Sequence, residues 1–478
     1  MIIAICVASS FALLVLITVL RAMLFRPKDG EKREYSPIEV DAERAMRSLS
    51  TLVRCKTVSD RNKKLEDGAE FERFRRLLPE LFPSVFEVCE CEEPSDRSIL
   101  LRWRGKSAGE PTVLMAHYDV VSVTECEWEK PPFDGIIENG VLWGRGTLDT
   151  KCTLNAILAS AEALIKEGFV PKNDIYFAFG GDEEINGYGA VTIARLLRER
   201  GITPALVLDE GGAVVENVFP GVKERCALIG VAEKGMLNLE YIAKSTGGHS
   251  SSPGKNTPIE RLSKACLKVS KHPSHFLITK PAREMLDTLA RHSAFVYKLI
   301  FANLWMFAPL LNLITRASRG ELSALLRTTD AFTMMHGSDG ANVIPPVARL
   351  TSNHRILPGE TVDGVKRRIE KTVDDPTVEI RVISAFEPSR PSSTDSVGWQ
   401  RVKAAAEATF SDAIISPYLM LACSDSRHYS EFSDKVYRFS PLSLSAEMRA
   451  TIHGNNERIT LSEVRESVEF YLRLIRES

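Results

Sequence analysis

Asp174-Ile175-Tyr176-Phe177-Ala178-Phe179, running into Gly180-Gly181-Asp182-Glu183-Glu184, is the stretch that decides the fold. Its first six residues are largely apolar and end on a glycine pair, the signature of a short buried strand. Three consecutive carboxylates at the strand end are electrostatically unfavourable unless a cation or proton compensates them. Outward from this point, residues 98–103 and 112–115 read as short strands, the second leading directly into His117. Residues 155–167 and 190–200 have helical apolar spacing, and 205–208 read as another strand. Strand and helix alternate, which predicts an α/β fold with a mostly parallel sheet covered by helices on both faces. Such sheets bind ligands in the crevice beyond the carboxyl ends of their strands.

From Gly235 the texture changes. Residues 237–243 alternate, Gly247-Gly248 breaks the chain, and 328–335, 348–353 and 377–383 read as further strands, so a second, α+β domain is expected as an insertion. Helix and strand resume from Ser396 and end in the helical pattern of 461–475. A chain of 478 residues exceeds what one core usually supports. The expected division is a membrane anchor at 1–26, a catalytic domain at 38–235 and 387–478, and between them a lid or dimerisation domain at 236–386. That lid carries an apolar helical insertion at about 280–325. With 61 basic against 63 acidic residues, charge offers no argument for nucleic acid. The nine cysteines lack zinc-finger spacing, and Cys89-x-Cys91 is too short for a zinc knuckle, so free thiols are expected.

Residues 2–20 are apolar and uncharged, close to the length of about 20 residues that crosses a bilayer. Basic residues follow the run (Arg21, Arg26, Lys28) instead of preceding it, which favours an uncleaved anchor and, by the positive-inside rule, a cytoplasmic catalytic domain. A charged linker at 27–37 comes next. A second apolar run, 295–314, contains Trp305 but is interrupted by Lys298, Asn303, Pro309 and Asn312. It admits three readings: a helical insertion packed on the fold, a hydrophobic channel or membrane-dipping surface, and a second transmembrane helix.

A hydrolytic two-metal site needs a bridging carboxylate, oxygen or nitrogen ligands for each ion, and a base beside a water. His117-Tyr118-Asp119 follows a strand, and there Asp119 can fix the imidazole tautomer. Asp149 closes the glycine-framed Gly144-Arg145-Gly146-Thr147-Leu148-Asp149 turn and is the bridging candidate, although an ordinary helix N-cap is the competing reading. Glu184 is expected to bind a metal and Glu183 to act as general base, with Asp182 structural. Asp209-Glu210-Gly211-Gly212 ends the next strand and should supply one further ligand, and His453, expected after a strand and before the last helix, is a nitrogen ligand or a loop histidine.

The ordered set resembles the dizinc amidohydrolases that include aminoacylase, glutamate carboxypeptidase and succinyl-diaminopimelate desuccinylase. Within them it is most similar to the Gly-X carboxypeptidase and N-fatty-acyl-amino acid synthase/hydrolase branch. That branch's pattern is met by Ala116-His117-Tyr118-Asp119-Val120-Val121, Trp128 with Pro131-Pro132-Phe133, and Trp143-Gly144-Arg145-Gly146. The resemblance implies two Zn²⁺ ions (Co²⁺ or Mn²⁺ also suiting the donors), with Asp149 bridging, His117 and Glu210 completing one site, and Glu184 and His453 the other. It also implies that His249, in Gly247-Gly248-His249-Ser250-Ser251, polarises the scissile carbonyl, often from the partner subunit of a homodimer. Asn342, Arg355 and Arg427 are similar to residues lining that family's substrate pocket, and an arginine suits bidentate capture of a substrate carboxylate. The implied activity is hydrolysis of N-acyl amino acids, or of peptides with a free C-terminal carboxylate, by a metal-bound water activated by Glu183. A carboxypeptidase or dipeptidase of ordinary short peptides is the alternative, and an inactive binding protein on the same fold the second.

Overall fold

The computed structural model describes residues 1–27, 35–318 and 320–478, and Lys28 with most of the charged linker lies outside the described residues. The largest sheet has eight strands, in the order Glu90–Glu92, Ser98–Trp103, Asn173–Gly180, Ser107–His117, Leu206–Val215, Val436–Leu444, Cys226–Glu233 and Ile414–Met420. Its middle is parallel, from Asn173–Gly180 through Ser107–His117 and Leu206–Val215 to Val436–Leu444. Antiparallel pairings flank that middle. Successive side chains of a strand point to opposite faces. Leu114, Phe177 and Phe179 therefore join the main core under the helices Lys151–Lys166 and Leu461–Arg476, while Val113, Met115 and Tyr176 pack against Ile193 and Leu197 of the helix Gly189–Glu199. Both faces are covered, which is why Asp174–Phe179 reads as a continuous apolar run instead of an alternating one.

A second sheet is antiparallel and four-stranded, in the order Thr329–His336, Val347–Ile356, Gly235–Lys244, Val378–Phe386. Leu237, Leu239, Tyr241 and Ala243 alternate onto one face, where the helices Pro258–Lys271 and Val362–Val373 cover them. The helices between these strands behave differently. Met285, Leu286 and Leu289 of Lys280–His292 join the core of the large sheet, beside the edge strand Ile414–Met420, as do Phe301 and Leu311 from the apolar run. The N-terminal helix Ile2–Leu24 buries only Thr18 and Ala22.

Three expectations from sequence need correction. The Asp209-Glu210-Gly211-Gly212 motif does not end its strand, which continues to Val215. Asp149 is not a helix N-cap, because Lys151–Lys166 has Thr150 in that position. His453 follows a short helix, Ala446–Thr451, where a strand is expected, and the short strand Arg458–Thr460 lies between it and the last helix, Leu461–Arg476.

Candidate metal centre

His117 is the last residue of its strand and lies opposite Gly180 in the parallel register, so the His-x-Asp and Glu-Glu motifs emerge at neighbouring strand ends. Its ring Nε2 lies 3.0 Å from Asp149 Oδ1 and 3.4 Å from Glu210 Oε1. His453 Nε2 lies 2.9 Å from the other Asp149 oxygen, Oδ2, and 3.2 Å from Glu184 Oε1. Asp149 thus stands between two histidines, each of which has a second carboxylate beside it.

Each of these side chains is placed by a local device. The Asp119 carboxylate is fully buried and accepts the backbone N–H groups of Glu183 and Glu184, both at 3.1 Å, and the Ser59 hydroxyl at 2.7 Å, which sets the Glu-Glu turn. His117 Nδ1 is 3.0 Å from the Asp119 carbonyl oxygen and 3.3 Å from its carboxylate, so the main chain of Asp119 shares in orienting the ring. Glu210 is aimed by a bulge: Asp209 pairs with Arg438 and Gly212 with Phe439, leaving Glu210 and Gly211 as extra residues in the strand. Bulges re-aim side chains in this way. Gly211 has φ +142°, and a Cβ on Gly212 would come within 1.7 Å of the Leu228 carbonyl oxygen, so glycine is required at the second position for the strands to approach. Asp209 is occupied elsewhere, accepting from Ser426 N–H at 2.8 Å and from Glu210 N–H at 2.9 Å.

Sequence reasoning gave no role to Glu457, although its motif was visible beside His453. Its fully buried carboxylate accepts Arg145 Nη1 at 2.6 Å and the backbone N–H groups of Gly146, Leu148 and Asp149 at 3.1, 2.6 and 3.2 Å. It therefore fixes the turn that presents Asp149. Glu233 was missed as well. It accepts Ser424 N–H at 2.9 Å and Arg438 Nε at 3.1 Å, both groups buried, and so anchors the 423–427 loop. The only sequence signal was a charged residue ending the apolar strand Cys226–Glu233.

The electrostatics call for a cation. Burial pushes the Glu183 carboxyl well above its ordinary range, and neighbouring Asp425 adds to the effect. Burial also raises Glu210 to about 8, with Asp149 contributing, and raises Glu184. At Asp149 burial works the same way but is outweighed by the hydrogen bonds to His117 and His453, which hold the group low. His453 is raised to about 10 by Asp149 and then Glu184. Donor atoms of His117, Asp149 and Glu184 lie within 4.8 Å of one another, as do those of His117, Glu183 and Glu210. Carboxylate oxygens with imidazole nitrogens, at that spacing and with no Lys or Arg among the described residues bonded to the acids, suit a divalent metal.

The residues expected on the substrate side separate into two groups. Arg355 and Arg427 converge on the 423–427 loop, with Arg355 Nη1 3.2 Å from Cys423 Sγ and Arg427 Nη1 donating to the Ser424 carbonyl at 2.7 Å. His249 and Asn342 sit together on an exposed two-stranded ribbon, where Gly248–His249 pairs with Val343–Ile344 and Ser250 N–H donates to the Asn342 carbonyl at 3.0 Å. Among the described residues, no hydrogen bond or ion pair joins that ribbon to His117, Asp149, Glu183 or Glu184.

A shared Asp between two His-carboxylate pairs, gathered beside the carboxyl ends of a mostly parallel sheet, is the donor set of a metal-dependent hydrolase. Residues 113–477 match Peptidase family M20/M25/M40, and the chain belongs to that family. It is 34% identical to the N-fatty-acyl-amino acid synthase/hydrolase of Homo sapiens over 98% of this chain and 96% of the human one. It is 32% identical to the probable carboxypeptidase S-like 2 of Dictyostelium discoideum over 97% of this chain and 92% of that protein. Among solved structures, the M20 family metallo-carboxypeptidase Sso-CP2 of Sulfolobus solfataricus superposes with a TM-score of 0.68 at 16% identity, covering 90% of this chain and 98% of that one. Human carnosine dipeptidase 1 gives 0.64 at 14% identity, covering 92% and 99%. The chain is accordingly a metallopeptidase-type hydrolase of amide bonds.

Proposed function

We propose that this protein is a membrane-anchored hydrolase of N-acyl amino acids with long acyl chains and a free carboxylate. The observation that carries the mechanism is the splitting of Asp149: one oxygen faces His117 and the other His453. In this reading Asp149 would be shared between two ions, with His117 and Glu210 holding one and Glu184 and His453 the other. Zinc is the expected metal, and Co²⁺ or Mn²⁺ suits the same donors. When bound, the ions polarise the scissile carbonyl and make water acidic enough to act as a nucleophile near neutral pH. Glu183, with its raised pKa, takes the proton as the water oxygen adds to the amide carbon. It then delivers that proton to the amine nitrogen as the C–N bond breaks. Asp119 holds the His117 ring and the Glu-Glu turn in place.

The substrate carboxylate is assigned to the Arg355 and Arg427 side of the crevice, with Asn342 lining the pocket. His249 is assigned to the carbonyl oxygen from the partner subunit of a homodimer, which accounts for its exposed position away from its own metal centre. The division into a catalytic unit at 38–235 and 387–478 and a lid at 236–386 belongs to the same reading. The helix Ile2–Leu24 is the anchor, and the basic residues Arg21 and Arg26 after it favour a cytoplasmic catalytic domain. Support for the substrate class comes from the relatives named as N-fatty-acyl-amino acid synthase/hydrolases, which align over most of both chains.

The test is a substrate panel on purified, metal-loaded, full-length protein with a Glu183→Ala control. Long-chain N-acyl amino acids should be cleaved, their carboxamide counterparts should resist, and the control should retain metal without turnover. Faster cleavage of short peptides would transfer the assignment to a carboxypeptidase or dipeptidase. Activity that survives in the Glu183→Ala protein would sink the mechanism.

A further inference from the structure

The helices Phe295–Phe301 and Leu304–Ser318 meet at 104° and form an elbow whose corner is Ala302-Asn303. Asn303 is fully buried, and one of its two hydrogen-bond partners belongs to the N-terminal helix. Its side-chain Nδ2 donates to the Thr18 carbonyl at 3.0 Å as well as to Leu299 at 2.8 Å. Arg21 returns the contact, with Nε and Nη2 donating to the Ala302 carbonyl at 3.2 and 3.0 Å. Side-chain donors meeting main-chain carbonyls in both directions fix the elbow against one turn of the N-terminal helix, from Thr18 to Arg21. The rest of that helix, from Ile2 to Ile17, stands clear of the body.

The face that Leu304–Ser318 turns outward is apolar. Trp305, Leu310, Leu313 and Ile314 are 59, 45, 66 and 48% exposed, and with Pro309 they cover about half of the helix circumference, the half away from Leu311 and Thr315. The opposite face is tied down: Leu311 and Thr315 are buried, and Arg327 donates to Asn312 and Thr315. Phe295 and Val296 extend the exposed patch onto the first arm. A soluble helix would present polar residues on that side, and a contiguous exposed apolar surface marks an interaction site.

We propose that this elbow is a second membrane contact, lying in the lipid interface beside the anchor without spanning the bilayer. The proposal rests on the reading of Ile2–Leu24 as an anchor. The occupant is lipid because the patch is continuous with the anchor helix, and the attachment sets its depth. Thr18 lies three residues inside Arg21, the first charge after the apolar run, which at about 1.5 Å per residue places the corner roughly 5 Å within the hydrocarbon boundary. A shallow position of this kind suits an amphipathic segment with an aromatic residue at headgroup level and basic neighbours, here Trp305 with Arg21, Lys298 and Arg316. The 104° bend, with Pro309 in the second arm, is incompatible with a straight crossing. Because Phe301 and Leu311 belong to the core of the large sheet, lipid contact here fixes the orientation of the catalytic body and not only its tether.

The experiment uses full-length protein in vesicles of phosphatidylcholine and phosphatidylglycerol. Of the five tryptophans, Trp305 is the exposed one, Trp103, Trp128 and Trp399 being buried and Trp143 partly so. The emission lost in Trp305→Phe therefore isolates its signal. That share is expected to be quenched by lipids brominated near the headgroup end of the acyl chain and protected from aqueous iodide, with the protein remaining in the pellet after alkaline carbonate. Protein that stays in the pellet while the Trp305 share is quenched by iodide and untouched by bromolipid would overturn the elbow and leave the anchor standing. Protein released into the carbonate supernatant would overturn the anchor, and the elbow with it.

Discussion

Replacing Glu457 with Gln is the sharpest probe of how the site is held. Four donors and no acceptor face its carboxylate: the Arg145 guanidinium and the N–H groups of Gly146, Leu148 and Asp149. It is therefore ionised, even though burial favours its neutral form. Glutamine keeps one acceptor but turns an NH₂ group toward donors and leaves the Arg145 charge, 2% exposed, without a counter-charge. Breaking a buried pair by removing one partner costs about 3–5 kcal/mol. Much of that strain falls on the turn carrying Asp149, so a loss of ion affinity of roughly 10- to 100-fold is expected, the range for residues that support metal ligands. Zinc competition against a chromogenic chelator reads the affinity, and thermal melting of chelator-treated protein reads the metal-free contribution. Adding Arg145→Met should recover part of the loss, because the stranded charge goes with it, so the double variant should be less impaired than the sum of the singles. Unchanged zinc affinity and unchanged melting in Glu457→Gln would refute the claim that this carboxylate positions Asp149.

Three further outcomes follow from the same geometry. His453→Ala removes one of the two histidines at Asp149 and should lower bound metal from two ions to one per chain, measured by elemental analysis, with kcat falling more than KM rises. Gly212→Ala forces a Cβ onto the Leu228 carbonyl and should give a protein that fails to accumulate in folded, protease-resistant form, whereas Gly140→Ala, at a glycine with open space around it but also at positive φ (+75°), should cost far less. His249→Ala should lower kcat by about 10²- to 10³-fold, the effect of losing one carbonyl-oxygen donor. Mixing it with Glu183→Ala protein should restore activity, through hybrid dimers, if His249 acts across subunits, and no recovery would place it in its own chain's site.

The layered fold was legible because period-two and helical patterns are local, and the expected strand at 98–103 coincides with Ser98–Trp103 in the structure. Several candidate residues were legible because they lie beside glycines: Glu183 and Glu184 follow Gly180-Gly181, Glu210 precedes Gly211, His249 follows Gly248 and His453 precedes Gly454. The errors have physical causes. Gly211-Gly212 reads as a strand stop, since paired glycines usually mark turns, yet here they create a bulge and a close approach of two backbones. The helix Ala446–Thr451 is too short to show periodicity, so the segment before His453 read as a strand. Glu457 and Glu233 find their partners hundreds of residues away, and no local pattern announces such a pairing. The run at 295–314 has the same composition whether it covers a pocket, lines a channel or meets lipid. What distinguishes these is its attachment to Thr18 and Arg21 in the folded chain.

The clasp between Arg145 and Glu457 closes a loop of 312 residues in sequence. A fragment that ends between residues 210 and 453 would contain His117, Asp149, Glu183, Glu184 and Glu210, yet would lack both His453 and the Glu457 carboxylate that shapes the Asp149 turn. Hydrolytic competence is thereby coupled to synthesis of the chain through Glu457. A truncated product would hold most of a protease-like domain without its cutting edge, and the slow search for so distant a partner makes closure of this loop a natural late event in folding.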